Sequence, residues 1–266
     1  MNKGSRSVTV VIPARYGSSR FPGKPLVELN GKPMIQYVYE RAVACRAVSD
    51  VLVATDDERI KHAVERFGGR VIMVTGDYRT GTDRVAAVAR IFAGEYFLDL
   101  QGDEIPLNPE LLTDLIEPFL ESGVGIGTLK RVMDSIEDLH NSAVVKVVTD
   151  VRGDALYFSR APIPCVRDSP GMQAIGGLHY IHLGLYMYTK ETLLRFAALP
   201  TSRLEDAEKL EQLRALDHGI RIRVWETKHA SLRVDRPEDV PDVAERLQQY
   251  EVVRRELRNS GVFFKS

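Results

Sequence analysis

The chain has 266 residues, long for one average domain but ordinary for an α/β unit with an insertion, and its 44% hydrophobic and 27% charged residues suit a soluble globular enzyme. A formal net charge of −1 argues against a nucleic-acid-binding protein, which would carry a basic excess. Cys45 and Cys165 stand far apart without metal-ligand spacing, no signal peptide opens the chain, and no apolar stretch approaches the roughly 18 residues of a membrane span, so the expectation is a reduced cytoplasmic protein with no membrane partner.

Val8, Val10, Val11 and Ile12 form an apolar run that Pro13 ends, the pattern of a central parallel strand. The loop that follows interleaves Arg15, Arg20 and Lys24 with Gly17, Ser18, Ser19, Pro22 and Gly23. Fixed positive charge beside exposed backbone N–H groups can surround phosphate oxygens, so the loop suits a polyanion such as a nucleoside triphosphate. Taken alone, a basic turn of this kind is ordinarily a solvated loop.

A helix is expected from about Pro33 to Arg46, then the strand DVLVAT, then a helix from about Glu58 that stops at Gly68-Gly69. RVIMV reads as the third strand, Thr82 as the cap of a helix to about Phe92, EYFLDL as the fourth strand, and Pro109 as the start of another helix. Such alternation predicts a mostly parallel sheet with helices on both faces and ligands at the carboxyl ends of the strands. The basic loop, the acidic turn Asp56-Asp57 and the turn Gln101-Gly102-Asp103 all fall at those ends.

After Gly123 the pattern turns to β structure. VVKVVTD and ALYFSR predict an antiparallel hairpin, HYIHLGLYMYT another strand, and Ile163 to Gly177 a loop. One helix is expected from about Leu204 to Asp217, a strand at IRIRVWET, and a last amphipathic helix from Pro237 to roughly Leu257. The reading is a single mixed α/β unit over 1–266, with a mixed, antiparallel insertion in the second half that forms a lid or dimer surface.

The string IPARYGSSRFPGKPL resembles the signature loop of the 3-deoxy-manno-octulosonate (Kdo) cytidylyltransferases, the CMP-Kdo synthetases of lipopolysaccharide and capsule biosynthesis. NGKPMI at 30–35, VATDD at 53–57, TGTDR at 80–84, LQGDE at 100–104, ALYFSR at 155–160, HLGLY at 182–186, LEQLR at 210–214 and VDRPED at 234–239 follow in order, so the resemblance spans about residues 7–250. It implies attack of a sugar oxygen on the α-phosphorus of CTP, with pyrophosphate leaving. It also divides the chain into a CTP-binding half at about 7–122, a sugar-binding and dimerisation portion at about 123–232, and a metal ligand with a closing helix at about 233–257. A homodimer is the implied assembly.

By the same resemblance, Asp103 and Asp235 hold Mg²⁺, while Arg15 and Lys24 act with Asp103 in catalysis and Arg20 helps to hold the phosphates. Taken singly, either aspartate reads equally well as a turn or capping residue. Pro13, Ala14, Ser18, Arg79, Thr82 and Gln101 fall on the nucleotide side, with Arg84 assisting or else a solvated helix charge. Arg160 is implied to meet the acidic sugar, with His182, Tyr188, Glu211 and Gln212 nearby. Without the family, His182 reads as a core histidine, Glu211 as a surface helix charge and the tyrosines as packing.

Two departures stand out. Ile105 replaces the proline usual after QGDE, and Asp206 and Lys209 replace a histidine and an apolar residue on the helix expected to face the sugar. Asp206 could read an ammonium group on 8-amino-8-deoxy-Kdo, or pair weakly with Lys209 on a surface. Another acidic acceptor is a further alternative. A nicotinamide dehydrogenase is disfavoured because no G-x-G-x-x-G follows the first strand, and a non-catalytic nucleotide-binding regulator because Arg15, Lys24, Asp103 and Asp235 occur together.

Overall fold

The computed structural model describes residues 6–17, 21–133, 135–167 and 177–259. β1 (Val8–Pro13) is buried along its whole length. A 3₁₀ turn at Lys24–Leu26 and the short pair β2 (Glu28–Leu29) and β3 (Lys32–Pro33) lead into α1 (Met34–Val43), which turns Met34, Ile35, Val38 and Ala42 inward. β4 (Asp50–Thr55) feeds α2 (Glu58–Arg66), whose first turn is capped by the Asp57 carboxylate accepting from Arg59 N. β5 (Val71–Met73), α3 (Gly81–Ile91) and β6 (Tyr96–Leu100) complete the alternating half. β1 pairs in parallel with β4 and with β6, and β4 with β5. Their carboxyl ends therefore open on one edge.

The cap of α3 is Thr80, not Thr82. Thr80 has the extended backbone that a cap needs (φ −134°, ψ 169°), and its hydroxyl accepts from Asp83 N at 3.1 Å. Thr82 lies inside the first turn, buried, which frees its hydroxyl for other partners.

β7 (Glu104–Pro106), α4 (Glu110–Ser122), β8 (Ile126–Val132), α5 (Ile136–His140), β9 (Lys146–Thr149) and β10 (Ala155–Ser159) follow. The ten-residue β11 (Tyr180–Thr189) pairs antiparallel with β6 and with β8, and meets β9 at Ile181. β9 and β10 form the expected hairpin. α6 (Lys190–Ala197), α7 (Arg203–Glu208), α8 (Leu213–Asp217), β12 (Arg223–Glu226), β13 (Ser231–Arg233) and, after a 3₁₀ turn at Pro237–Asp239, α9 (Val240–Asn259) end the fold. β12 lies parallel to β8, so the second half extends the first: β10-β9-β11-β6-β1-β4-β5, with β8 beside β11 and β12 beside β8, make one nine-stranded sheet among the described residues. Apolar cores fill both faces, one against α1, α4 and α9, the other against α3, α6 and α8. Among the described residues no helix is long and apolar enough to cross a membrane.

The helix expected over 204–217 is two helices. Lys209 between them is left-handed (φ 53°, ψ 45°). The carbonyls of Glu208 and Lys209, which a continuing helix would use, instead accept from Arg160 at the end of β10, Nε at 2.7 Å and Nη2 at 3.4 Å. The corner swings Glu211 inward.

Candidate active site

Asp103 and Asp235 are far apart in sequence, and strand pairing brings their backbones together. β7 and β13 are antiparallel with Arg233 opposite Glu104, and Val234 N continues the ladder to Asp103 O at 3.4 Å. Asp103 therefore faces Val234, one residue before Asp235. Lys24 fastens the arrangement: its ammonium is ion-paired with the Asp103 carboxylate and donates to Val234 O at 2.9 Å. Arg233 Nε donates to Asp235 Oδ1 at 3.1 Å, and the Asp235 and Arg236 N–H groups donate to Asp239 Oδ2 at 2.8 Å each, which fixes the turn into the last helix. Two half-buried carboxylates beside a basic loop suit a hard divalent cation whose other positions are filled by phosphate oxygens and water. A cage of three or more His, Cys, Asp or Glu side chains is absent among the described residues.

Beside this pair, the carboxyl ends of β1 and β6 and the start of α3 enclose a cleft of about 170 Å³, lined in part by Pro13, Ala14, Arg15, Lys24, Gln101 and Asp103. Two glycines permit the close approach. A Cβ on Gly81 would stand 2.9 Å from Gln101 Oε1, and one on Gly102 3.0 Å from Pro13 O. Arg84 also lines the cleft and is not the solvated charge it could have been. It is 5% exposed, its Nη2 donates to Asp56 at 2.9 Å, and its buried Nη1 has no hydrogen-bond partner. A carbonyl or ring-nitrogen acceptor on a bound base would satisfy it. Arg79 lies outside that lining, exposed and bonded to Asp83 and Thr201 at 3.2 Å each. Ser18 and Arg20 lie outside the described residues.

A buried polar cluster backs the cleft. Glu211 accepts from Thr80 Oγ1 at 2.9 Å and Thr82 Oγ1 at 3.0 Å, with Arg214 Nη2 at 3.2 Å. Far from a solvent-facing helix charge, it is a carboxyl whose pKa burial raises. Arg214 is fully buried and forks onto Glu205 through two 2.9 Å bonds. Asp99 on β6 is fully buried beneath Thr82 and Gln101, and burial pushes its pKa up to about 8. The corner thus joins the α3 side of the cleft to the side that the family resemblance assigns to the sugar.

On β11, the His182, Tyr186 and Tyr188 rings form a row, 5.4 and 6.0 Å apart. His182 meets Thr128 Oγ1 through Nε2 at 3.1 Å, and burial pushes its pKa down to about 3, so it is neutral at working pH. Tyr188 stacks on Phe196 at 6.2 Å. Tyr186, opposite Asp99 in the sheet, carries a buried hydroxyl with no partner, a candidate ligand donor that the sequence reading passed over. Its period-two spacing from His182 was the available signal. Arg160 is committed to the corner: besides Glu208 and Lys209, it donates Nη1 to Ser142 O at 2.9 Å. Gln212 is buried beside Glu211. Asp206 is exposed, with Lys209 Nζ at 3.7 Å, so its observed partner is that surface lysine.

Residues 9–222 match the cytidylyltransferase family profile. The 3-deoxy-manno-octulosonate cytidylyltransferase of Geobacter sulfurreducens is 49% identical over 249 residues, 91% of this chain and 100% of that protein. The chain belongs to the Kdo cytidylyltransferase family. The enzyme of the same name from Syntrophotalea carbinolica is 50% identical over 91% of this chain and 99% of its own length. A CMP-2-keto-3-deoxy-manno-octonic acid synthetase solved in complex with CTP superposes with a TM-score of 0.84 at 41% identity, covering 91% of this chain and 99% of that one. A cytidylyltransferase from Leptospira borgpetersenii, at 14% identity and a TM-score of 0.61 over 96% and 95% of the two chains, shares the fold. This Kdo cytidylyltransferase family member is accordingly a nucleotidyltransferase with a mostly parallel α/β sheet.

Proposed function

We propose that the chain transfers the cytidylyl group of CTP to Kdo with Mg²⁺, as a cytoplasmic homodimer supplying lipopolysaccharide synthesis. The observation that carries this reading is the Lys24 clamp, which gathers Asp103 and the strand leading to Asp235 at the mouth of the cleft. The anomeric hydroxyl oxygen of the sugar forms a bond to the α-phosphorus, the α–β phosphoanhydride bond breaks, pyrophosphate departs and the hydroxyl proton passes to solvent water.

Asp103 and Asp235 would hold Mg²⁺, which when bound supplies charge neutralisation at the phosphates and acidifies a hydroxyl. Arg15 and Lys24, which both line the cleft, offset the negative charge that builds on departing pyrophosphate. Arg84 meets the base through its free Nη1, and Gln101 presents its amide from the same wall. Glu211 and Tyr186 offer an acceptor and a donor to sugar hydroxyls. No serine or cysteine nucleophile enters this scheme, because the acceptor oxygen attacks directly. Pyrophosphate release from CTP and Mg²⁺, with and without Kdo and again after chelation, tests the proposal. Kdo-dependent release abolished by chelator supports it; CTP binding without release in any mixture overturns it.

A further inference from the structure

Thr82 offers one hydroxyl to two carboxyl groups. Its Oγ1 lies 2.9 Å from Asp99 Oδ2 and 3.0 Å from Glu211 Oε2. A hydroxyl has a single hydrogen to donate, so both contacts are full two-centre hydrogen bonds only when one of the two carboxyls is protonated and donates back to Thr82. Glu211 is the better placed to stay ionised, with Thr80 Oγ1 donating to it and the Arg214 guanidinium alongside.

Burial and the carboxylates facing Asp99 favour a neutral acid, while the hydrogen bonds from Thr82 and Gln101 act in the other direction. From the loop after β6 come the Asp103 carboxylate and the Gln101 amide, from the helical corner Glu211, and from β11 the Tyr186 and Tyr188 hydroxyls. α3 supplies Thr82, with the Asp83 carboxylate facing Glu211, and β1 places Val11 opposite. The two charged groups that act on it, Glu211 and Asp103, are negative. Burial raises its pKa to about 8, so it holds its proton at pH 7.

We propose that Asp99 is a positioning residue that acts as a carboxylic acid, donating to Thr82 and accepting from Gln101, so that Gln101, Asp99, Thr82 and Glu211 form one hydrogen-bonded chain from the nucleotide wall to the sugar side. Gln101 Nε2 donates to Asp99 Oδ1 at 2.7 Å, which leaves Gln101 Oε1 as the acceptor for a ligand N–H or O–H in the cleft it lines. Loss of the proton would set a second negative charge against Glu211, leave Thr82 able to serve only one carboxylate and loosen both walls together. The role in turnover rests on the CTP and Kdo reading; the proton on Asp99 does not.

Asp99→Asn carries the same pattern, an N–H toward Thr82 and a carbonyl toward Gln101, with no proton to lose. Two measurements from pH 5 to 9 test the proposal. The first is the thermal unfolding midpoint, which needs no substrate. Asp99 titrates near 4 in the unfolded chain and about 8 in the folded one, so its contribution to stability is complete below pH about 4 and is lost as pH rises through 8. The midpoint of Asp99→Asn therefore gains on wild type as pH rises, whereas a constant difference, or a variant that cannot fold, overturns the proposal. The second is kcat/KM for CTP at saturating Kdo. The ratio of variant to wild type is expected to rise about tenfold from pH 7 to pH 9, which a merely structural role would not produce, and a flat ratio overturns the positioning role. A widening midpoint difference without any Kdo-dependent turnover supports the proton and overturns the acceptor reading instead.

Discussion

Lys24 ties together the parts of the site that sequence distance keeps apart. One ammonium contacts a side chain in the turn between β6 and β7 and a carbonyl just after β13, and both it and the Asp103 carboxylate are largely enclosed, with side chains 14% and 20% exposed. Lys24→Ala leaves two neighbouring carboxylates with less compensating charge, frees the Val234 carbonyl and removes a cation from the phosphate side. The expected loss is about 10²- to 10³-fold in kcat/KM, the range seen when a preorganised electrostatic donor is deleted, with a smaller effect on the unfolding midpoint. Steady-state kinetics of pyrophosphate release alongside thermal unfolding checks both parts. Lys24 was singled out through the family resemblance, since a basic turn of this kind taken alone is ordinarily a solvated loop. Its second partner, a backbone carbonyl, leaves no mark in a side-chain pattern.

Among the elements, the α7–α8 corner shows where local pattern misleads. Residues 204–217 contain no Gly or Pro, and apolar positions recur at helical spacing, so an unbroken helix is the local expectation. The break comes from Arg160, whose guanidinium takes the carbonyls that would extend the helix, and from Arg214, which anchors the second segment to Glu205. Tertiary contacts override propensity in this way where a side chain from another element supplies the missing bonds. Thr80 and Thr82 teach the same lesson on a smaller scale. Both are good caps by residue type, and only the backbone angles decide which one caps and which one turns inward to the carboxyl cluster. Arg214→Ala is expected to cost about 3–5 kcal/mol because it strands the buried Glu205 charge, lowering the unfolding midpoint by roughly 10 °C. A scanning calorimetry trace within 2 °C or so of wild type would show that the corner stands without the pair.

For the whole molecule, alternation of strand and helix predicted the parallel half and the edge on which the cleft opens, because each strand's carboxyl end carries one recognisable turn. Strand order was hidden. β11 inserts beside β6 and carries the second half into the same sheet, and such long-range pairing depends on surfaces rather than on any window of sequence. The meeting of Asp103 with the Asp235 strand through β7 and β13 was hidden for the same reason. Burying β11 also sets a pH dependence. His182 ordinarily titrates near 6.5 but is held to about 3 in the fold, so the unfolded chain binds the extra proton between these values. Stability is therefore expected to fall as pH drops from about 6.5 toward 3, more shallowly in His182→Gln. Equal slopes for the two proteins in urea unfolding across that window would contradict the assignment.

The most direct test of the two-carboxylate centre is Kdo-dependent pyrophosphate release from CTP, titrated with Mg²⁺, for wild type, Asp103→Asn and Asp235→Asn. Wild type is expected to turn over, and each variant to lose about 10³-fold in kcat at every Mg²⁺ concentration while remaining folded. A silent wild type, or variants as active as wild type, would contradict the account.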